Sequence, residues 1–106
     1  MSICVRDLRH VAKTVLGCEI EEDGDHIRYN LIVNGRDVAN FKYSHSWRGS
    51  FQIPEVILHS QARSMHCSLQ TWKSLLQGRI TKKTYFRELL EKELINQAEF
   101  EMLCKQ

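Results

Sequence analysis

The chain has 106 residues, of which 42% are hydrophobic and 26% charged, with five glycines, one proline and a formal net charge of +2. These values fit a single folded domain over residues 1–106 and exclude a disordered, collagen-like or low-complexity chain. No run of roughly 18 apolar residues occurs and the charged N-terminus does not resemble a signal peptide, so we expect a cytoplasmic protein with no membrane partner.

Residues 5–16 are predicted to form an amphipathic helix, because apolar residues recur there at three- and four-residue steps and Gly17 follows as a stop signal. After Gly17 the apolar period changes to two, which is typical of strands. Two dipeptides, Asp23-Gly24 and Asn34-Gly35, supply the positive φ angles of tight hairpin turns. The sequence thus predicts a three-stranded antiparallel meander of Cys18–Glu22, His26–Val33 and Asp37–Ser44.

The second half of the chain is predicted to be helical. Pro54 opens one helix, Ser68 is placed as the N-cap of a second that reaches Gly78, and Thr81 is placed as the cap of a third. Residues 96–106 keep a helical spacing of apolar residues and are expected either to fray or to pack on a second copy. The predicted fold class is α+β in the order α-β-β-β-α-α-α, with a core over residues 5–77 and a helical extension over residues 81–106.

The basic residues are concentrated in the middle of the chain. Between His26 and Arg87, ten basic residues against two acidic ones give a net charge of +8. Such an excess is typical of a polyanion-binding surface, and a solvated basic face without a partner is an equally good explanation. The ten residues are Arg28, Arg36, Lys42, Arg48, Arg63, Lys73, Arg79, Lys82, Lys83 and Arg87.

An α-β-β-β-α order with a basic tract is the layout of the double-stranded-RNA-binding fold, which recognises nucleic acid by shape and phosphate contacts. Gly24, Asp25 and His26 place a glycine, a small polar residue and a histidine at the start of a strand. On this motif and the element order, residues 5–77 resemble the HicA family of toxin ribonucleases, in which Ser or Thr is more usual at the position of Asp25. The chain is also similar to uncharacterised prokaryotic proteins with a DH-x-x-Y…NG…SH core. The HicA resemblance implies RNA as substrate, His26 as the catalytic histidine and an antitoxin-like protein partner.

Metal-free RNA cleavage needs a base for the 2′-hydroxyl proton and a second group that supports the phosphate and the leaving oxygen. His26 is the candidate base, and His45 or Lys42 is its candidate partner. In an antiparallel meander the start of the second strand lies beside the end of the third, which brings His26 next to Ser44 and His45. A surface or hydrogen-bonded structural role for His26 is the alternative.

The candidate nucleic-acid-binding residues combine cations with one aromatic side chain. Trp47 lies beside Arg48 and Phe51 and is expected either to stack on an unpaired base or to close the rim of the core. Arg28, Lys42 and Arg48 are expected to hold phosphates, with RNA favoured over DNA. The full candidate set is Arg28, Lys42, Trp47, Arg48, Arg63, Lys73, Lys82 and Lys83.

Residues 58–78 support a rival hypothesis, a helix-turn-helix DNA-binding transcriptional regulator. Ala62 and His66 have the spacing of the helix and turn residues of that motif, with His66 where glycine is usual. The second helix would then present Gln70, Thr71, Lys73 and Ser74 to the major groove. Alternatively, these residues belong to two helices that simply complete the core.

The remaining chemistry-bearing residues suggest no cofactor and no metal. The four cysteines, at positions 4, 18, 67 and 104, are far apart and are interpreted as reduced packing thiols. His59 and His66 are two helical turns apart, about 10 Å along a helix axis, which is too far for joint coordination. A third hypothesis is a protein-interaction module whose C-terminal helix forms a homodimer or receives an antitoxin-like partner.

Overall fold

The structure is a computed structural model that describes residues 2–106. Its class is α+β, with an N-terminal helix, a three-stranded antiparallel sheet and a helical C-terminal half, as predicted. The elements are α1 (Val5–His10), β1 (Glu19–Asp23), β2 (His26–Val33), β3 (Arg36–Ser44), α2 (Glu55–Ser64), α3 (Leu69–Leu76), α4 (Lys82–Glu91) and α5 (Gln97–Lys105).

Helix α1 runs directly into a π-helical turn over Val11–Val15, so the single α-helix predicted over residues 5–16 changes its hydrogen-bond pattern after His10. The Leu16 N–H donates to the Val11 carbonyl at 2.8 Å, and the Cys18 N–H donates to the Ala12 carbonyl at 2.7 Å. With this wider turn, Val11, Ala12 and Leu16 are all buried. The helix ends where predicted, because Gly17 adopts the left-handed φ of 65°.

The sheet has the order β1-β2-β3, with both connections made by tight hairpins. Asn34 and Gly35 form the second turn, with φ values of 50° and 79°, as the dipeptide predicts. The first turn lies one residue later than predicted, because Asp23 already pairs with His26 and belongs to β1. Gly24 still supplies the positive φ that this turn needs.

The two faces of the sheet differ in burial. Tyr29, Leu31 and Phe41 lie on the inner face and are at most 1% exposed. Polar residues of β2 and β3 alternate with them and lie on the outer face. A β-bulge changes this pattern at one point, because Leu31 pairs with Ala39 while Ile32 pairs with Asp37. The extra residue, Val38, is therefore buried rather than sharing the outer face as strict alternation predicts.

Three of the helices end in the same way, with one residue in the left-handed conformation after the C-cap. These residues are His66, Gly78 and Glu93, with φ values of 59°, 75° and 60°. In each case the N–H groups of this residue and the next donate to carbonyls of the last helical turn, which is the Schellman motif. Ser68 caps α3 as predicted, its Oγ accepting from the Thr71 N–H at 3.0 Å.

The last predicted helix divides into two. α4 ends at Glu91, and Asn96 starts α5 with a reciprocal capping box to Glu99. Residues 96–106 were expected either to fray or to pack on a second copy. Instead they pack on their own chain, since Phe100 and Leu103 are buried within it. No helix within residues 2–106 has the length and apolar content needed to cross a membrane.

The helices cover the inner face of the sheet and the open edge of β3. The Trp72 ring of α3 packs edge-on against Phe41 of β3, with ring centroids 5.0 Å apart. The Tyr85 hydroxyl of α4 donates to the Met65 carbonyl at 2.9 Å, which joins α4 to the turn after α2. All helices and the inner sheet face contribute to one hydrophobic cluster, so the outer sheet face is left to solvent.

Candidate functional site

A groove of about 320 Å³ lies between the outer face of β2 and β3 and the helix α2. The strands supply one wall and the helix the other. Trp47, from the loop after β3, also lines the groove. The lining residues are His26, Arg28, Asn40, Phe41, Lys42, Tyr43, Ser44, Trp47, Ile57, Ser60, Gln61 and Ser64.

The strand register brings the polar lining residues together. His26 pairs with Ser44, and Arg28 pairs with Lys42. Directly opposite residues of an antiparallel pair have Cβ atoms about 5 Å apart on the same face. The pairing of β2 and β3 therefore places an imidazole, a guanidinium and an ammonium along one wall.

The helical wall is held against β3 by a buried glutamine. Gln61 is 3% exposed, and its Nε2 donates to the Lys42 carbonyl at 3.0 Å. Its Oε1 accepts from the Trp72 indole N–H at 3.2 Å. Since both ends of the amide are bound, α2 has a defined distance from the strand that carries Lys42.

The charged residues that line the groove, Arg28 and Lys42, are both cations. Arg28 is partly buried directly opposite Lys42, an arrangement of like charges that is unfavourable by itself. None of the lining residues is an aspartate or glutamate. Glu21 is the β1 neighbour of Arg28, but its Oε1 accepts from the Asn30 side chain at 3.1 Å. Within residues 2–106 neither groove cation forms an ion pair, so the groove suits an anionic ligand.

His26 lines the groove and is exposed, so a ligand can reach its imidazole. Its register neighbours are Asp23 on β1 and Ser44 on β3. In the described part of the chain the His26 side chain hydrogen-bonds to neither, and the Ser44 Oγ is 3.0 Å from the Ser46 Oγ instead. The row of aspartate, histidine and serine is therefore not assembled as a nucleophilic triad.

The second predicted histidine lies outside the groove. The His45 backbone N–H donates to the Asp25 carbonyl at 2.8 Å, which places it beside the mouth of the first hairpin, but its side chain is exposed and does not line the cavity. Of the two candidate partners for His26, the structure places Lys42 in the same groove and not His45.

Trp47 closes the rim of the core, which is one of the two roles considered for it. Its ring stacks on Phe51 with centroids 4.4 Å apart and an interplanar angle of 20°, and it packs against the core cluster. It also lines the groove. One face of the indole is thus covered by Phe51, and the ring forms a fixed apolar wall next to the cations.

The other candidate cations lie away from the groove. Arg48 is exposed in the loop after β3, Arg63 is exposed on α2, and Lys83 is exposed on α4. Lys73 forms an ion pair with Glu55 at 3.0 Å, and the Lys82 ammonium donates to the Gln106 carbonyl. Of the eight predicted nucleic-acid-binding residues, Arg28, Lys42 and Trp47 line the groove.

Two other basic residues, Arg36 and Arg87, interact with the C-terminal helix α5. Arg36 forms a 2.9 Å ion pair with Glu99, and the Arg87 guanidinium lies 5.8 Å from the centre of the Phe100 ring. These two cations interact with residues of α5, whereas Arg28 and Lys42 have no such partner in the described residues. Of the ten residues that produce the charge excess, Arg28 and Lys42 are the two that line the groove.

The segment from α2 to α3 has the shape of a helix-turn-helix, but its second helix has little free surface for reading bases. His66 adopts the left-handed φ that the turn requires. Ser74 is buried, and Lys73 is paired with Glu55. The Thr71 hydroxyl accepts from Ser68 in the helix cap, which leaves Gln70 as the one fully exposed member of the predicted set.

The cysteines and histidines form no second site. All four cysteines are free thiols, and burial raises the pKa of both Cys18 and Cys67 to about 12, so these two remain protonated at neutral pH. Within residues 2–106 no three His, Cys, Asp or Glu side chains come close enough together to hold a metal ion.

Sequence reasoning missed the helical wall of the groove. Ser60 and Ser64 are both exposed and line the cavity, and neither belongs to the predicted set of site residues. Their spacing of four residues, which places two hydroxyls on one helical face, was the available signal. No pattern in the sequence indicated which strand that face would meet.

Comparisons with protein-family models, with curated proteins and with solved structures found no match.

Proposed function

We propose that the protein binds RNA through the groove between the outer sheet face and α2, with Arg28 and Lys42 on phosphate groups. The observation that carries this proposal is the Arg28–Lys42 pair, two unpaired cations directly opposite each other in a groove that no carboxylate lines. A phosphate placed between them relieves their repulsion and forms charge-assisted hydrogen bonds with both.

The size and the lining of the groove favour an unpaired nucleotide. Its volume of about 320 Å³ is at the lower end of the range of small-ligand sites, roughly 300–1,000 Å³. Trp47 and Ile57 provide apolar contacts for a base, while Ser60 and Ser64 carry hydroxyls within the same cavity. Hydroxyl groups can hydrogen-bond the ribose 2′-OH, which distinguishes RNA from DNA.

The test is binding of a fluorescently labelled single-stranded oligouridylate, measured by anisotropy over a series of salt concentrations. Each phosphate contact to a single strand contributes about −0.7 to the slope of log K against log salt. In the double variant R28A/K42A this slope should therefore be less steep than in the wild type by about 1.4. The affinity at 0.1 M salt should be about 25-fold lower. The control K13A/K105A removes the same charge from two exposed lysines elsewhere and should bind like the wild type. A salt-independent affinity, or equal losses in both variants, would remove the proposal.

The same samples test cleavage, for which we propose His26 as the general base and Lys42 as the group that supports the phosphate. Cleavage of this kind needs no metal, so RNA should be lost in the presence of EDTA. H26A should abolish the loss, while H45A, which alters a histidine outside the groove, should retain it. Binding without any loss of RNA would limit the function to binding. Cleavage by H26A would show that His26 is not the general base.

A further inference from the structure

A second cluster of positive charge lies where the loop after β3 meets α1. The Arg6 N–H donates to the Gly49 carbonyl at 2.9 Å, and the Val5 N–H donates to the Phe51 carbonyl at 3.0 Å. These bonds dock the loop on the first turn of α1. They bring the arginines of that helix next to Gly49, the residue that follows Arg48, although about 40 positions separate the two segments in the sequence.

The side chains of Arg6 and Arg9 gather over a single backbone position. A Cβ atom placed on Gly49 would lie 3.6 Å from the Arg9 Nη1 and 4.0 Å from the Arg6 Nε. The absence of a side chain at Gly49 therefore leaves a space that both guanidinium groups border. Arg48, the preceding residue in the loop, is exposed.

No acidic group neutralises this cluster in the described residues 2–106. Asp7 lies between the two arginines in sequence, but its Oδ2 accepts from the Cys4 N–H at 2.9 Å in the cap of α1. The polar partner of Arg9 is the Tyr43 hydroxyl, which accepts from the Arg9 Nε at 3.2 Å. This hydrogen bond raises the pKa of Arg9, so the guanidinium stays charged.

We propose that Arg6, Arg9 and Arg48 form a second phosphate subsite, at Gly49, which continues the RNA path beyond Trp47. This inference rests on the proposed function of the groove. Guanidinium groups bind phosphate through paired, charge-assisted hydrogen bonds, and converging cations without a counter-ion gain most from such a ligand. Trp47 and Gly49 are two residues apart, at most about 7 Å along the chain, so one short strand can contact the groove, the indole and the subsite.

The experiment places a carboxylate inside the subsite. Gly49 is not in the left-handed conformation, and the Cβ contacts above are ordinary van der Waals distances, so both G49A and G49D fit the backbone. In G49D the new carboxylate pairs with the neighbouring arginines and competes with RNA. Compared with G49A, we expect G49D to bind the labelled oligouridylate about fivefold more weakly at 0.1 M salt, with about 0.7 less salt slope.

The outcomes separate this inference from the proposed function. If R28A/K42A loses affinity while G49D binds like G49A, the groove is used and the subsite is overturned. If the wild type binds no RNA, both proposals fall. Should G49D lower the melting temperature relative to G49A, R6A measured against K13A answers the same question, because both side chains are exposed on the same helical segment.

Discussion

The carboxylate of Glu99 accepts four hydrogen bonds from three other residues. Its side chain is 3% exposed and accepts from Arg36 at 2.9 and 3.1 Å, from the Asn34 amide at 2.7 Å and from the Asn96 N–H at 2.9 Å. Arg36 and Asn34 belong to the β2–β3 hairpin, while Glu99 and Asn96 belong to the first turn of α5. One carboxylate thus ties the C-terminal helix to the sheet.

We expect this interaction to make stability depend on acid pH. The hydrogen bonds from Arg36, and then that from Asn96, lower the pKa of Glu99 from 4.5 to about 2. A depressed pKa contributes stability above pH 4.5 that is lost as the pH falls toward 2. In urea unfolding at several pH values, E99Q should be less stable than the wild type at pH 7 and should lose less stability over this acid range.

The control for this prediction is E101Q, which changes an exposed carboxylate of the same helix and should keep the acid dependence of the wild type. An E99Q protein whose stability falls with acid as steeply as that of the wild type would show that Glu99 is not the group responsible.

At the scale of elements, the groove exists because α2 is held at the edge of β3. Gln61 provides this connection, since its amide joins the Lys42 carbonyl of β3 to the Trp72 indole of α3. All three elements therefore meet at one buried side chain. The position of Lys42 relative to Ser60 and Ser64 depends on it.

We expect Q61L to lower the free energy of unfolding by about 2 kcal/mol, because the partly buried Lys42 carbonyl and the buried Trp72 indole N–H lose their partners. It should also weaken RNA binding, since the helical wall loses its fixed distance from the strand. Q97L, at an exposed glutamine in the first turn of α5, is the matched control and should be near neutral in both urea unfolding and anisotropy. Unchanged RNA affinity in a folded Q61L protein would show that the wall does not contribute.

Local sequence signals predict some of the helix ends but not all of them. Gly17 and Gly78 end their helices where the sequence predicts, because glycine adopts a positive φ without strain. Glu93 occupies the same conformation after α4, although glutamate has no preference for it. The break between α4 and α5 was therefore missed, even though Asn96 and Glu99 form a capping box whose spacing is visible in the sequence.

At the scale of the whole molecule, α5 completes the fold of its own chain. Phe100 and Leu103 are buried, and Arg87 covers the Phe100 ring. The apolar face that the sequence offered to a second copy is thus largely occupied, with Met102 left 39% exposed. Homodimerisation and an antitoxin-like partner remain hypotheses that would need another surface or a displacement of this helix.

We expect F100A to lower the free energy of unfolding by about 3 kcal/mol, the lower end of the cost of removing a buried phenylalanine ring. M102A, on the exposed side of the same helix, should cost well under half as much. Urea unfolding measures both. If α5 acts within one chain, the unfolding midpoint should not change with protein concentration. A midpoint that rises with concentration and loses this dependence in F100A would assign the helix to an interface between copies.

The sequence by itself determined the α+β class, the three strands and the hairpin turn at Asn34-Gly35, because periodicity, turn dipeptides and caps act over a few neighbouring residues. It also placed His26, at the start of β2, beside Ser44, at the end of β3, since strand register follows from the turns. Only the tertiary structure decided which cations stay free. Arg36 and Lys73 are paired by glutamates distant in sequence, and α2 meets Lys42 through Gln61, contacts that depend on how the helices pack against the sheet.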